Sequence, residues 1–217
     1  MNSDGGDVRR LTFGSLGQNP AWSPNGDQIA YESRSGQGYE IFIVNIDGSE
    51  NHGITKGSFD VQPSWSPDGK TLLFSHNYQI AAMNRDGSGV AVLTNLDGYN
   101  EWPHFSPNGK GIVFHSSQNT YQIHVMHADG TGITAITHIA ALNAWPVWSP
   151  DGKFIAFESS RTRDGNLQIF RVAVDGSDCR RLTNNSANDA FPSWGPAVRR
   201  LNREPGNTQA ASARPMP

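Results

Sequence analysis

Three histidines near the middle of the sequence have the residue type that metal sites use. Counting from the turns that flank them, we expect His104 and His124 to lie in one row of a sheet, on either side of Val113. His115 is expected one step along the same face. Three imidazoles on one face could bind Zn²⁺ or Mn²⁺. The pattern occurs once and no carboxylate accompanies it, so polar packing between layers is the favoured interpretation.

A second set of polar residues recurs along the sequence, each three positions before a proline. The set consists of Asp60, Asn100, Asn143 and Asp189, and Gly17 stands at the corresponding earlier position. All four side chains carry oxygen acceptors, and the amides add donors. Brought together, they would suit a basic or N-terminal peptide group, or a hard cation such as Ca²⁺. Such residues also shape loops by bonding to nearby backbone, and both interpretations stay open at this point.

Composition narrows the function classes. The 217 residues include 17 Lys and Arg against 20 Asp and Glu, a formal charge of −3. Residues 196–217 carry four Arg and one Glu, so the rest of the chain has a charge of −3 − 3 = −6, which argues against nucleic-acid binding. Nucleophile-elbow, zinc-protease and phosphate-loop motifs are absent from the sequence. It also lacks a recognisable signal peptide and a long apolar run that would span a membrane.

These candidate residues belong to a repeat of about forty residues. The segment Pro-Ser-Trp-Ser-Pro-Asp-Gly-Lys at residues 63–70 returns at 146–153 with one substitution, and softer copies begin at Pro20, Pro103 and Pro192. The aromatic residue of each copy is separated from the next by 43, 40, 43 and 46 positions: Trp22, Trp65, Phe105, Trp148 and Trp194. Their fixed place before a turn favours packing between repeats over stacking on a sugar.

Each repeat reads as four short antiparallel strands, A to D. Strand A leads through Ser-Pro-Asp/Asn-Gly, whose proline and glycine suit a tight turn, into an apolar strand B such as Leu72 to Phe74. Strand C opens with Glu/Gln-Ile and ends at an Asp-Gly pair, a strong hairpin signal. A threonine closes strand D. Because both faces of strand B are apolar, the sheets must stack against one another.

Four-stranded units repeated in this way predict an all-β fold, a β-propeller of four-stranded antiparallel blades. We expect four complete blades, a lone outer strand near residues 8–12 and a lone inner strand near 190–194. Those two strands form either an incomplete fifth blade or the ends of an open ring. Residues 1–195 make up the propeller, and residues 196–217 are predicted to be a disordered tail.

The repeat resembles the TolB-type, WD40-like (PD40) propeller repeat, on the strength of the Pro-x-Trp-Ser-Pro-Asp-Gly-Lys segment, the Gln-Ile and Asp-Gly pairs and the Leu-Thr ending, across residues 4–196. The resemblance implies one of two uses. One is the periplasmic TolB type, a six-bladed binding hub of the bacterial envelope behind a separate α/β domain. The other is a gating module of larger enzymes such as prolyl-oligopeptidase-like peptidases. More distant relatives are lyases with a histidine-held metal in the channel. Neither an α/β domain nor a hydrolase domain is present in this sequence.

We therefore predict a non-enzymatic propeller scaffold that binds a protein or peptide at the mouth of its channel, where the four Asx residues would lie. The alternative is a propeller enzyme or enzyme fragment, with a metal-dependent lyase-like site or a gating role. No cofactor is expected, although Ca²⁺ in the channel is compatible with the oxygen ligands. Nucleic acid is not an expected partner. Open blade faces would favour a homodimer, and the TolB resemblance implies a periplasmic location.

Overall fold

The computed structural model describes residues 4–13, 16–36, 38–56, 59–118 and 120–195. Sixteen β-strands and no helix lie in these ranges, so the predicted all-β class is confirmed. The predicted tail, residues 196–217, lies outside the described residues. In chain order the strands are β1 (Gly17–Trp22), β2 (Gln28–Ser35), β3 (Gly38–Asn45), β4 (His52–Gly53), β5 (Asp60–Trp65), β6 (Thr71–His76), β7 (Gln79–Asn84), β8 (Ala91–Val92), β9 (Asn100–Phe105), β10 (Gly111–Ser116), β11 (Gln122–His127), β12 (Thr134–Ala135), β13 (Asn143–Trp148), β14 (Phe154–Ser159), β15 (Gln168–Ala173) and β16 (Arg180–Arg181).

Four antiparallel sheets of four strands each form the predicted blades. Blade 1 is β1–β4, blade 2 is β5–β8, blade 3 is β9–β12 and blade 4 is β13–β16, each in simple meander order. The first strands of successive blades contact one another, β1 with β5, β5 with β9 and β9 with β13. They are therefore the inner strands, and they surround a common channel.

The Ser-Pro-Asp/Asn-Gly segment forms the tight turn between the first two strands of every blade. In blade 2 the amide of Gly69 donates to the carbonyl of Ser66 at 2.9 Å. The carboxylate of Asp68 accepts from the hydroxyl of Ser66 at 2.7 Å and from the amide of Lys70 at 3.1 Å. Gly69 has a φ of 69°, which a residue with a Cβ rarely adopts. The turn chemistry predicted from the sequence is confirmed.

The second strand of each blade is the core of the fold. Leu72, Leu73 and Phe74 are fully buried, because neighbouring blades cover both faces of β6. Trp65 packs with apolar residues of blades 1 and 2, and its indole Nε1 donates to the carbonyl of Ala21 in blade 1 at 3.0 Å. Trp148 makes the equivalent bond to His104 at 3.1 Å. Trp65 and Trp148 thus pack between blades, as predicted, whereas Trp22 of blade 1 is 56% exposed.

A β-bulge interrupts each inner strand at its third residue. The register with the second strand shifts there in all four blades, for example between Val61 and Ser64 in blade 2. The bulged residues have positive φ angles of 48–57° and are Asn19, Gln62, Trp102 and Trp145, and Phe191 has the same conformation in the segment after blade 4. We call these five residues the bulge row.

The two predicted lone strands are not formed. Neither residues 8–12 nor residues 190–194 are in a strand, because neither has a neighbouring strand with which to pair. Both segments nevertheless lie against the end blades. Leu11 packs on the core of blade 1, and Trp194 donates from Nε1 to the carbonyl of Val147 at 3.2 Å. No contact comparable to those between neighbouring inner strands joins β13 to β1 within the described ranges, so the four blades form an open arc.

Candidate functional site: the central channel

The channel contains a cavity of about 580 Å³ bordered by the inner strands. Strands β1, β5 and β9 supply most of its wall, and Phe191 contributes from beyond blade 4. Four members of the bulge row line the cavity: Asn19, Gln62, Trp102 and Phe191. The bulge affects this wall because it breaks the regular alternation of side chains along the strand and so changes the direction in which these side chains point. A cavity of this size and mostly apolar wall is typical of a ligand site.

Three aromatic rings lie along one side of this cavity: Trp102 and Phe191 line it, and Trp145 contacts both. The ring centroids of Trp102 and Trp145 are 6.0 Å apart, and those of Trp145 and Phe191 are 5.0 Å apart with planes at 70°. Each ring comes from a different position around the channel: blade 3, blade 4 and the segment after it. We call these three residues the aromatic arc.

Backbone amides of the bulge row are held by side chains of the preceding blade. Gln62 donates from its amide to Oε2 of Glu32 at 2.7 Å, and Phe191 does the same to Glu158 at 3.1 Å. The amide of Trp102 donates to the side-chain oxygen of Gln62 at 3.1 Å. These bonds satisfy donors that the bulge removes from the ladder, and they fix each bulge to its neighbour.

Two carboxylates border the aromatic arc. Oε2 of Glu101 lies 3.6 Å from Nε2 of the buried His115. Glu158 is almost fully buried, its Oε1 has no hydrogen-bond partner among the described residues, and burial raises the pKa of its carboxyl. Burial also lowers the pKa of His104, a cavity-lining residue, to about 4. At neutral pH the imidazole of His104 in the cavity wall is therefore neutral.

The four Asx residues of the sequence prediction occupy equivalent places at the start of the inner strands. Asp60, Asn100 and Asn143 are the first residues of β5, β9 and β13, and Asp189 has the same place after blade 4. Asn143 is 0% exposed. Its Nδ2 donates to the carbonyls of Tyr121 and Ala141 at 3.1 and 3.0 Å. Asn100 is equally buried and bonds to Tyr78 and Gly98 in the same way. For these two residues the geometry supports the loop-shaping interpretation.

The two aspartates differ from the amides. Asp60 is buried, with its Oδ1 2.6 Å from Nδ1 of His76. Asp189 is partly exposed and accepts from Nδ2 of Asn185 at 2.7 Å. The four residues therefore do not present a uniform polar ring, and their role in ligand binding stays a prediction.

A network that sequence reasoning missed explains why the Gln-Ile pair and the closing threonine recur. In blade 3, Gln122 donates from Nε2 to the carbonyl of Ile139 at 2.8 Å and accepts at Oε1 from Thr137 at 2.7 Å. The hydroxyl of Thr137 also accepts from the amide of Ile123 at 2.9 Å, and Asn143 joins through Oε1 of Gln122 at 3.3 Å. The fixed spacing of the Gln, Thr and Asx positions in the sequence could have predicted this network.

The bulge row could also have been recognised from the sequence, because its residues directly precede the repeated proline and change in type from repeat to repeat.

The predicted arrangement of the histidines is wrong in its register. His104 does face Val113, but Val113 pairs with Val125, and His124 pairs with Phe114. Neighbouring positions along a strand point to opposite faces, so this shift of one residue turns His124 away from His104. His124 stacks on Phe114 instead, with centroids 5.4 Å apart. Facing apolar pairs such as Ile112 and Met126 set the observed register. Within the described ranges no three His, Cys, Asp or Glu side chains are grouped to hold a metal ion.

The family described as TolB beta propeller domain matches the sequence over residues 1–89 and again over residues 83–211. The chain belongs to the TolB β-propeller family. The resemblance predicted from the repeat is thus confirmed. Among the described residues, the structure contains no helix that could cross a membrane.

Solved TolB structures share this fold. The putative TolB from Agrobacterium tumefaciens is 29% identical with a TM-score of 0.74, and the match covers 82% of this chain and 65% of that one. TolB from Acinetobacter baumannii is 26% identical with a TM-score of 0.71, covering 87% and 49%. The Tol-Pal system protein TolB of Wolbachia sp. subsp. Drosophila simulans (strain wRi) is 56% identical over 41 residues, 19% of this chain and 10% of that protein. This chain therefore spans only part of its TolB relatives.

Proposed function

We propose that this TolB-family propeller is a non-enzymatic scaffold that binds a protein or peptide partner in its central channel. The cavity of about 580 Å³ between the inner strands is the observation that carries the proposal. It is large enough for a few side chains of a partner, and its wall comes from several blades. A partner seated there would be recognised by the assembled channel and by no single blade.

The chemistry of the wall supports a peptide-like ligand. Aromatic rings and prolines offer apolar contact, and the amides of Asn19 and Gln62 offer both donors and acceptors. The relatives from Wolbachia are named as Tol-Pal system proteins, a name that describes an assembly with other proteins. By this proposal the present chain, like those relatives, acts by binding another protein.

The proposal is tested by selecting peptides from a displayed random library on the immobilised protein. Asn19→Arg places a long side chain in the cavity, and Val92→Arg places the same side chain on the exposed outer strand β8. We expect the selected peptides to lose at least tenfold in affinity for the Asn19 variant and to bind the Val92 variant like the parent protein. Peptides that bind both variants equally, or a selection that yields none, would contradict the proposal.

A further inference from the structure

The bulge row contains a choice of residue that the backbone does not demand. Asn19 occupies its positive-φ position in blade 1, and asparagine tolerates that conformation better than most residues. The same position holds Trp102, Trp145 and Phe191 further along the chain. Bulky aromatic residues are outliers at positive φ and cost free energy there. Since the fold forms the bulge with Asn or Gln, the three aromatic residues require another reason.

Packing alone does not supply that reason. Phe191 is 66% exposed, and Trp102 and Trp145 are partly exposed, in contrast to the fully buried Phe74 of the blade core. Trp102 and Phe191 line the cavity, and Trp145 bridges them through its ring contacts. Strained residues that face a cavity point to a ligand.

The charges around the aromatic arc indicate the sign of that ligand. Glu101 precedes Trp102 in the chain, and its side chain is 19% exposed. Glu158 accepts the amide of Phe191 through one oxygen, while the other has no partner among the described residues. Neither lysine nor arginine is among the described residues that line the cavity. The faces of aromatic rings attract cations, and the nearby carboxylate of Glu101 strengthens that preference.

We propose that the aromatic arc is a subsite for an arginine side chain of the partner. Guanidinium is planar, stacks on aromatic faces and still has N–H groups free for a carboxylate such as Glu101. Lysine offers a point charge without the flat surface, and it is more strongly hydrated. This inference rests on the proposed function, since it names the chemical group by which the partner enters the channel.

Small probes test the subsite separately from any partner. N-acetyl-arginine amide is titrated into the full chain with ¹⁵N-labelled indole groups, with N-acetyl-citrulline amide as the neutral isostere and N-acetyl-lysine amide as the second cation. We expect arginine to shift the indole signals of Trp102 and Trp145 but not that of Trp148, and to bind at least tenfold more tightly than citrulline. Equal binding of citrulline or of lysine would overturn the assignment.

Substitution by asparagine separates binding from folding. Phe191→Asn installs the residue type that blade 1 uses at this position and should weaken arginine binding at least fivefold without lowering Tm. Trp102→Asn is the second variant, and Tyr99→Asn, on an exposed loop outside the cavity, is the matched control. If Phe191→Asn lowers Tm, or if it leaves arginine binding unchanged, the arc is a packing element and the inference fails. Should library peptides bind the channel without any preference for arginine, this subsite is refuted while the proposed function stands.

Discussion

Burial shifts the pKa values of two titratable residues near the channel. His104 lines the cavity, and burial lowers its pKa from the usual value near 6.5 to about 4. Burial also raises the pKa of the Glu158 carboxyl, which accepts the backbone amide of Phe191. Burial favours the neutral form of both groups, so the stability contribution of His104 is lost as the pH falls and that of Glu158 is lost as the pH rises through the titration of its carboxyl.

For His104 the direction of the pH effect follows from linkage. The unfolded chain takes up a proton near pH 6.5, whereas the folded protein does so only near pH 4. The free energy of unfolding should therefore fall as the pH drops from 6.5 to 4, by roughly 1–3 kcal/mol from this group. His104→Gln should flatten that part of the profile, as measured by urea unfolding at a series of pH values. His127→Gln, at an exposed position, is the control, and equal profiles for the parent and the His104 variant would contradict the assignment.

How much of the site the sequence could reveal depends on the residue. Asn100 and Asn143 were recognisable as a recurring set, because their spacing to proline is constant. Which of their two roles applies could not be read, since amides bond equally well to a ligand or to a loop carbonyl. The aromatic arc was missed because a tryptophan carries no sign of its φ angle. Trp102 and Trp145 look like ordinary strand residues until the bulge is seen.

At the scale of elements, the tryptophans before the turns of blades 2 and 4 connect each of these blades to the previous one. Trp65 is 9% exposed and donates to blade 1, whereas Trp22 is 56% exposed because the described chain places no blade before it. Trp65→Ala should cost roughly 3–5 kcal/mol of unfolding free energy and Trp22→Ala less than about 1 kcal/mol. Chemical denaturation of the two variants measures the difference. Similar losses would mean that Trp22 is covered in solution.

The Gln, Thr and Asx network gives a second prediction at this scale. Asn143→Ala removes the side-chain donor to the carbonyl of Ala141 and the acceptor of the Ser159 hydroxyl and the Arg161 guanidinium, and should cost roughly 1–3 kcal/mol. Asp189→Ala removes only an exposed bond to Asn185 and should cost less than about 1 kcal/mol. Thermal unfolding compares the pair. Equal losses would show that the network contributes nothing at β13.

Strands were more predictable than their pairing. The Ser-Pro-Asp/Asn-Gly turn places the first two strands of each blade, because proline and glycine restrict the backbone wherever they occur. The pairing of β10 with β11 depends on which apolar side chains meet, such as Ile112 with Met126. Because the loop between the two strands varies in length from repeat to repeat, this register cannot be counted from the sequence. Residues 8–12 and 190–194 failed to form strands for a different reason. A β-strand forms only where a second segment pairs with it through backbone hydrogen bonds, and neither of these segments has such a partner among the described residues.

For the whole molecule, the open arc is the feature with the clearest consequence in solution. Its first end exposes Phe13, Leu16 and Trp22, each more than half accessible to solvent. Exposed apolar surface promotes association, so we expect the sedimentation coefficient to rise with protein concentration. Trp22→Glu should reduce this association, and Val92→Glu on β8 should leave it unchanged. A monomer at all concentrations would refute the prediction of a homodimer through the open blade faces.

Two tryptophans of the aromatic arc also give the protein an intrinsic spectroscopic signal. Trp102 and Trp145 belong to adjacent blades, and their rings are 6.0 Å apart with planes at 57°. Two indoles at that distance and angle couple their electronic transitions, which gives a paired positive and negative band in the far-ultraviolet circular dichroism. Because each indole moves with its own blade, the amplitude of this couplet reports the angle between the blades. Any ligand that wedges the two blades apart, or draws them together, would change a signal that requires no label.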